Sequence, residues 1–206
     1  MNYEILGAFM FATAALAISP GPDNIFVLVQ SMSHGKKYGL ATVAGLMAGC
    51  LIHTTLLAFG VSAVIKENDT LFFSIKVFGA LYLVFLSYRV FKSDAKIDIS
   101  KQDLPKQSLG KLFRTGFWMN VLNPKVTIFF LAFFPGFLFS KTMSTIIQFY
   151  VLGSLFIIVS FSVFATIAVL AAQISKFTLK HTKAGVYLKW MQIVVFLGIA
   201  CYLLFG

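Results

Sequence analysis

Two short stretches hold the residue types with chemical potential in this chain. One is Ser19-Pro20-Gly21-Pro22-Asp23-Asn24; the other is Asn120-Val121-Leu122-Asn123-Pro124-Lys125. Each sets a helix breaker inside an apolar segment and follows it at once with a charge, negative in the first and positive in the second. Proline removes a backbone N–H and collides with the preceding turn, and glycine adds freedom, so a continuous helix does not easily pass. In lipid such a break is tolerated only where the freed groups face protein or a water-filled cavity. An ionisable residue at that depth points to function. A broken helix exposes N–H groups at one new end and carbonyls at the other, attractive to anions and cations respectively.

Together these features suit a zwitterion. A carboxylate would meet half-helix N–H groups aided by Lys125, and an ammonium would meet Asp23 and free carbonyls near Ile18 and Ser19. Asn24, Asn120 and Asn123 add neutral hydrogen bonds. The candidate substrate-binding residues are therefore Pro20, Gly21, Pro22, Asp23, Asn24, Asn120, Asn123, Pro124 and Lys125, and an amino acid backbone is what they would recognise. The plainer alternative is an Asp23–Lys125 ion pair that only holds the chain together, since unpaired buried charges are costly. The two roles are compatible if the pair opens when substrate enters. Asp23 is also a candidate proton carrier.

The elements that position these residues follow from composition. Of 206 residues 59% are hydrophobic and 12% charged, with a mean hydropathy of +0.88, against about 45–50% apolar and 25% charged in soluble domains. The chain reads as an all-α integral membrane protein. At roughly 20 apolar residues per span, it has room for about six. The segments run from Ile5 to Ser33, Tyr38 to Ile65, Thr70 to Phe91, Leu112 to Phe139, Met143 to Ile174 and Val186 to Phe205. The first and fourth are the broken ones. Ala15-Leu16-Ala17 imitates a signal cleavage site, but no positive region precedes it, so the first helix reads as retained. Gly45-x-x-x-Gly49 reads as a helix-packing face.

A net charge of +10 would suggest nucleic acid in a soluble protein; here it reflects basic loops. Lys36 and Lys37, the lysines between Lys92 and Lys111, and Lys176, Lys180, Lys183 and Lys189 fall in the first, third and fifth loops. The second and fourth loops hold one lysine each, Lys66 and Lys141. The positive-inside rule then places both termini outside. The polar stretch 92–111 reads as a cytoplasmic linker between a first three-helix repeat, 1–91, and a second, 112–206. With three spans each, the repeats enter the membrane in opposite senses. Interrupted segments at matching positions of inverted halves point to a secondary transporter's midplane site.

Other chemistries fit poorly. Cys50 and Cys201, the two cysteines, form no Cys-x-x-Cys motif and read as buried, inert thiols. A metal cation exporter remains the alternative, but Asp23, His53, Cys50 and Cys201 are scattered, whereas metals want clustered ligands. His53 reads as a hydrogen-bonded packing residue rather than a proton relay. No hydrolase or metalloprotease motif appears, so neither an enzyme nor a bound cofactor is expected. Most of the 24 phenylalanines must face lipid or pack.

Pro20-Gly21-Pro22-Asp23-Asn24 with Ser33-His34-Gly35-Lys36-Lys37-Tyr38-Gly39-Leu40, and Gly116-Phe117-Trp118-Met119-Asn120-Val121-Leu122-Asn123-Pro124-Lys125, resemble the LysE/RhtB family of amino acid exporters. The resemblance runs in order over nearly the whole chain. It implies efflux of amino acids or close derivatives from the bacterial cytoplasm across the inner membrane, driven by a proton or other ion gradient. A homodimer is left open. Where many relatives carry an acidic residue after the Gly45-x-x-x-Gly49 stretch, this chain has Cys50, which favours a neutral substrate such as threonine, homoserine or leucine over a basic one.

Overall fold

The computed structural model describes residues 2–19, 21–62, 69–93, 105–171, 173–174 and 184–205. Pro20 and most of the expected linker, 94–104, lie outside the described residues, as do residues 63–68 and 175–183. The described chain is helical: α1 (Tyr3–Ile18), α2 (Pro22–His34), α3 (Lys36–Leu56), α4 (Asp69–Lys92), α5 (Leu109–Val121), α6 (Pro124–Phe133), α7 (Thr145–Val169) and α8 (Ala184–Phe205). Four helices are long and apolar enough to cross a membrane, and up to six spans result if each bent pair is one. The bent pairs are α1 with α2, at 61°, and α5 with α6, at 52°. The broken first and fourth segments are thus present where the prolines require them.

Local chemistry sets the other boundaries. The expected first loop shrinks to Gly35, whose φ of 98° lets α2 end and α3 begin within one residue. The fourth segment starts at Leu109 rather than Leu112, because the Ser108 side chain caps it by accepting from the Lys111 N–H at 3.2 Å. After α3, the chain passes through a π-helical turn, Leu57–Val61. Pro135 and Gly136 tighten the end of α6 into a 3₁₀ turn, Phe134–Phe137.

Two packing layers surround the breaks. The α3–α5 crossing is the closest. A Cβ added at Gly45 would collide with the Phe113 carbonyl, and one at Gly116 with the Thr42 carbonyl. The small-residue spacing in α3 is therefore a backbone-to-backbone contact surface. The second layer is aromatic. Phe129 stacks on Phe133 at 4.3 Å and Phe130 on Phe134 at 4.2 Å, one helical turn apart. Phe9 of α1 and Phe156 of α7 close on the same ladder. Gln148, buried on α7, accepts from the Phe139 and Ser140 N–H groups and donates to the Ser140 and Met143 carbonyls. That one amide satisfies the backbone after the 3₁₀ turn.

Outside this core, α4 and α8 pack on each other and turn Phe78, Leu81, Phe85, Val194 and Leu197 outward, as lipid-facing helices do. Cys201 is exposed on α8, contrary to the expectation of two buried thiols. An apolar thiol loses nothing by facing lipid.

Candidate functional site

The two breaks follow one local grammar. At the first, α1 stops at Ile18, and the Asn24 side chain reaches back to donate to the Ala17 carbonyl at 2.7 Å. Gly21 is the N-cap of α2, Pro22 fills the first helical position and Asp23 follows in the first turn. At the second break Asn123 is the N-cap of α6, and its Oδ1 accepts from the Lys125 N–H at 3.0 Å. Pro124 fills the first helical position and Lys125 follows. Asp23 and Lys125 thus occupy the same position on two half-helices.

The helix dipole treats them differently. A carboxylate is favoured at a helix N-terminus and an ammonium is disfavoured there. Lys125 therefore sits where an anion is wanted. Its charge attracts the Asp23 carboxylate across the site, but the two make no direct hydrogen bond among the described residues. The carboxylate instead accepts from Asn123 Nδ2 at 3.0 Å. Asn123 thereby ties the two breaks together, with its Nδ2 on Asp23 and its Oδ1 on the Lys125 backbone. The Lys125 ammonium lies over the Phe196 ring, 5.0 Å from its centroid, and 3.9 Å from where a Gly21 Cβ would be.

Asn120 closes the far side. Pro124 has no N–H to give the Asn120 carbonyl, its normal partner four residues back. Its place is taken by the Asn123 N–H at 3.0 Å and by His53 Nε2 at 3.2 Å. His53 is thus the hydrogen-bonded packing residue expected from its place mid-helix, and its task is to satisfy a broken helix. The Asn120 amide donates to Cys50 Sγ at 3.4 Å. His53→Ala should remove one of that carbonyl's two hydrogen bonds, the Asn123 N–H remaining, and cost about 0.5–1.5 kcal/mol. The expected readout is a melting temperature lower by about 2–4 °C per kcal/mol in detergent.

These groups surround a cavity of about 50 Å³. Gly21, Pro22, Asp23, Asn24, Asn120, Asn123 and Lys125 all line it. Its remaining walls are largely apolar, including Leu46 and Met47 of α3 and Phe156 and Phe164 of α7.

A family model described as LysE type translocator matches residues 14–206. The chain belongs to the LysE family of translocators. Two curated relatives are homoserine/homoserine lactone efflux proteins, one from Salmonella typhimurium and one from Salmonella typhi. Each is 30% identical over 175 residues, which is 85% of this chain and 84% of the relative. No solved structure matches the chain.

For a LysE translocator the structure brings together the described members of the sequence-derived set, 21–24, 120 and 123–125, although the two stretches lie about 100 residues apart. Pro124 serves as helix starter, and its missing N–H is what leaves the Asn120 carbonyl to His53. Among the described residues no group of three or more His, Cys, Asp or Glu side chains converges. Sequence reasoning missed Ser160, Phe156 and Phe164. Their signal was present: the three fall at four-residue spacing along α7, on its buried face.

Proposed function

We propose that this chain is a secondary transporter that exports amino acids or close derivatives from the bacterial cytoplasm, with a neutral substrate such as threonine, homoserine or leucine. The observation that carries this reading is the matched pair of half-helix N-termini around one cavity, one bearing Asp23 and the other Lys125. An α-carboxylate suits Lys125 at the N-terminal end of α6. An α-ammonium suits Asp23. The names of the two Salmonella relatives, efflux proteins for homoserine and its lactone, point to the same class of solute.

In this reading the membrane is the bacterial inner membrane, with both termini outside and the basic loops in the cytoplasm. Residues 1–91 and 112–206 are inverted three-helix repeats joined by the linker 92–111. Packing of α3 on α7 and of α4 on α8, which are corresponding helices of the two halves, supports that relation. A proton or another ion supplies the driving force, with Asp23 as its carrier. A cavity of about 150 Å³ takes up benzene, with six heavy atoms, whereas threonine has eight. The 50 Å³ chamber must therefore widen to admit substrate, and the bends at 61° and 52° are the places for that motion.

Counterflow in proteoliposomes tests the proposal. Vesicles loaded in turn with neutral, basic and acidic amino acids, and with Mn²⁺ or Cd²⁺, are assayed for uptake of the same labelled solute. Exchange of a neutral amino acid is the expected result. Exchange of a metal ion without any amino acid would overturn the substrate class.

A further inference from the structure

We infer that Ser160 reads the substrate's side chain, and that the side chain it selects carries a hydroxyl. The inference rests on the amino acid reading above and extends it to a part of the cavity that the backbone groups leave unused.

Asn120 is 4% exposed and Ser160 2% exposed, and both line the cavity that holds Asp23 and Lys125. Among the described residues neither Asn120 Oδ1 nor Ser160 Oγ has a hydrogen-bond partner. Buried polar atoms are nearly always paired, and leaving one unpaired is costly. Asn120 Oδ1 is turned against Gly49 of α3, whereas Ser160, on α7, lines the chamber. The rest of Asn120 is committed: its Nδ2 donates to Cys50 Sγ and its carbonyl accepts from His53. What remains for a substrate is the hydroxyl on Ser160, which both donates and accepts.

A substrate hydroxyl matches this set. It donates to or accepts from Ser160 Oγ, and the orphaned atom is satisfied. An aliphatic side chain of the same shape leaves it unpaired. Phe156 and Phe164, one turn to either side of Ser160, border this region with apolar surface. Among the described residues no charged one lines the cavity besides Asp23 and Lys125, so a charged side chain would find no counter-charge left over there. A site built to bond a hydroxyl discriminates strongly against the analogue lacking it, which a purely apolar pocket cannot do in reverse.

Threonine and valine differ by hydroxyl against methyl and are the probes. Proteoliposomes with the full chain are assayed for counterflow of each, for wild type, Ser160→Ala and Ser154→Ala. Ser154 lies on the same helix, is exposed and bonds only its own Tyr150 carbonyl, so it controls for a general effect on α7. Wild type should prefer threonine, Ser160→Ala should lower the threonine-to-valine preference roughly tenfold, about one hydrogen bond, and Ser154→Ala should leave it unchanged. A wild type that exchanges valine as readily as threonine overturns the inference without needing any variant. An unchanged preference in Ser160→Ala also overturns it, and in either case the exporter reading stands. A wild type that exchanges no amino acid at all removes the exporter reading and this inference with it.

Discussion

Lys125→Met is expected to reduce amino acid counterflow by roughly 10²–10³-fold while leaving a folded protein, and Asp23→Asn to do nearly the same. The size follows from what each charge does. Truncating one partner of a buried, hydrogen-bonded charge contact costs on the order of 2–5 kcal/mol. Lys125 sits at the N-terminal end of α6, where a cation opposes the helix dipole. A substrate carboxylate would reverse that penalty, so methionine removes an interaction that matters only when substrate is bound. Asp23 is already held by Asn123 at 3.0 Å, and asparagine preserves that shape without the charge. The double variant separates binding from structure. If the two charges serve only each other, Asp23→Asn with Lys125→Met should recover both yield and exchange. If they bind opposite ends of a zwitterion, the double variant should stay inactive. Counterflow beside size-exclusion profiles reads both quantities, and exchange that survives each single change would make the charges structural.

The second large effect falls on stability. Gly45→Leu and Gly116→Leu should abolish the monodisperse folded fraction, and even alanine at either position should cost about 3 kcal/mol. A Cβ at Gly45 meets the backbone carbonyl of Phe113, and one at Gly116 meets that of Thr42. Neither obstacle is a side chain that can rotate aside, so α3 and α5 would have to separate. That separation would also move Asn120 away from Cys50 and His53, so packing and site fail together. Gly198→Ala is the control. Nothing lies within 4 Å of the added atom, and alanine is the better helix former by about 1 kcal/mol. Its melting temperature should be unchanged or slightly higher.

Much of this was legible in the residues because the bilayer is a severe solvent. An apolar segment interrupted by Pro-Gly-Pro has few alternatives to two half-helices with satisfied ends, so the bends at residues 18–22 and 121–124 were readable before any coordinates. Pro22 and Pro124 at first helical positions, with Asp23 and Lys125 next to them, follow from the same local rule. Apolar length similarly set the all-α class and the span count. Boundaries were less readable. Gly35 merged a loop into one residue, and Ser108 began α5 early, because caps act through single side chains that hydropathy does not weigh.

By itself, then, the sequence determined which residues interrupt the helices and which charges follow, since proline, glycine and lipid constrain the backbone locally. Only the tertiary structure decided that Asn123 donates to the Asp23 carboxylate while the Lys125 charge acts on it from farther away, that His53 joins the Asn123 N–H on the carbonyl that Pro124 cannot serve, and that Ser160 lines the same chamber. Those contacts join residues far apart in the chain. They depend on how closely α3 approaches α5 and on which face α7 presents, and no local pattern specifies either.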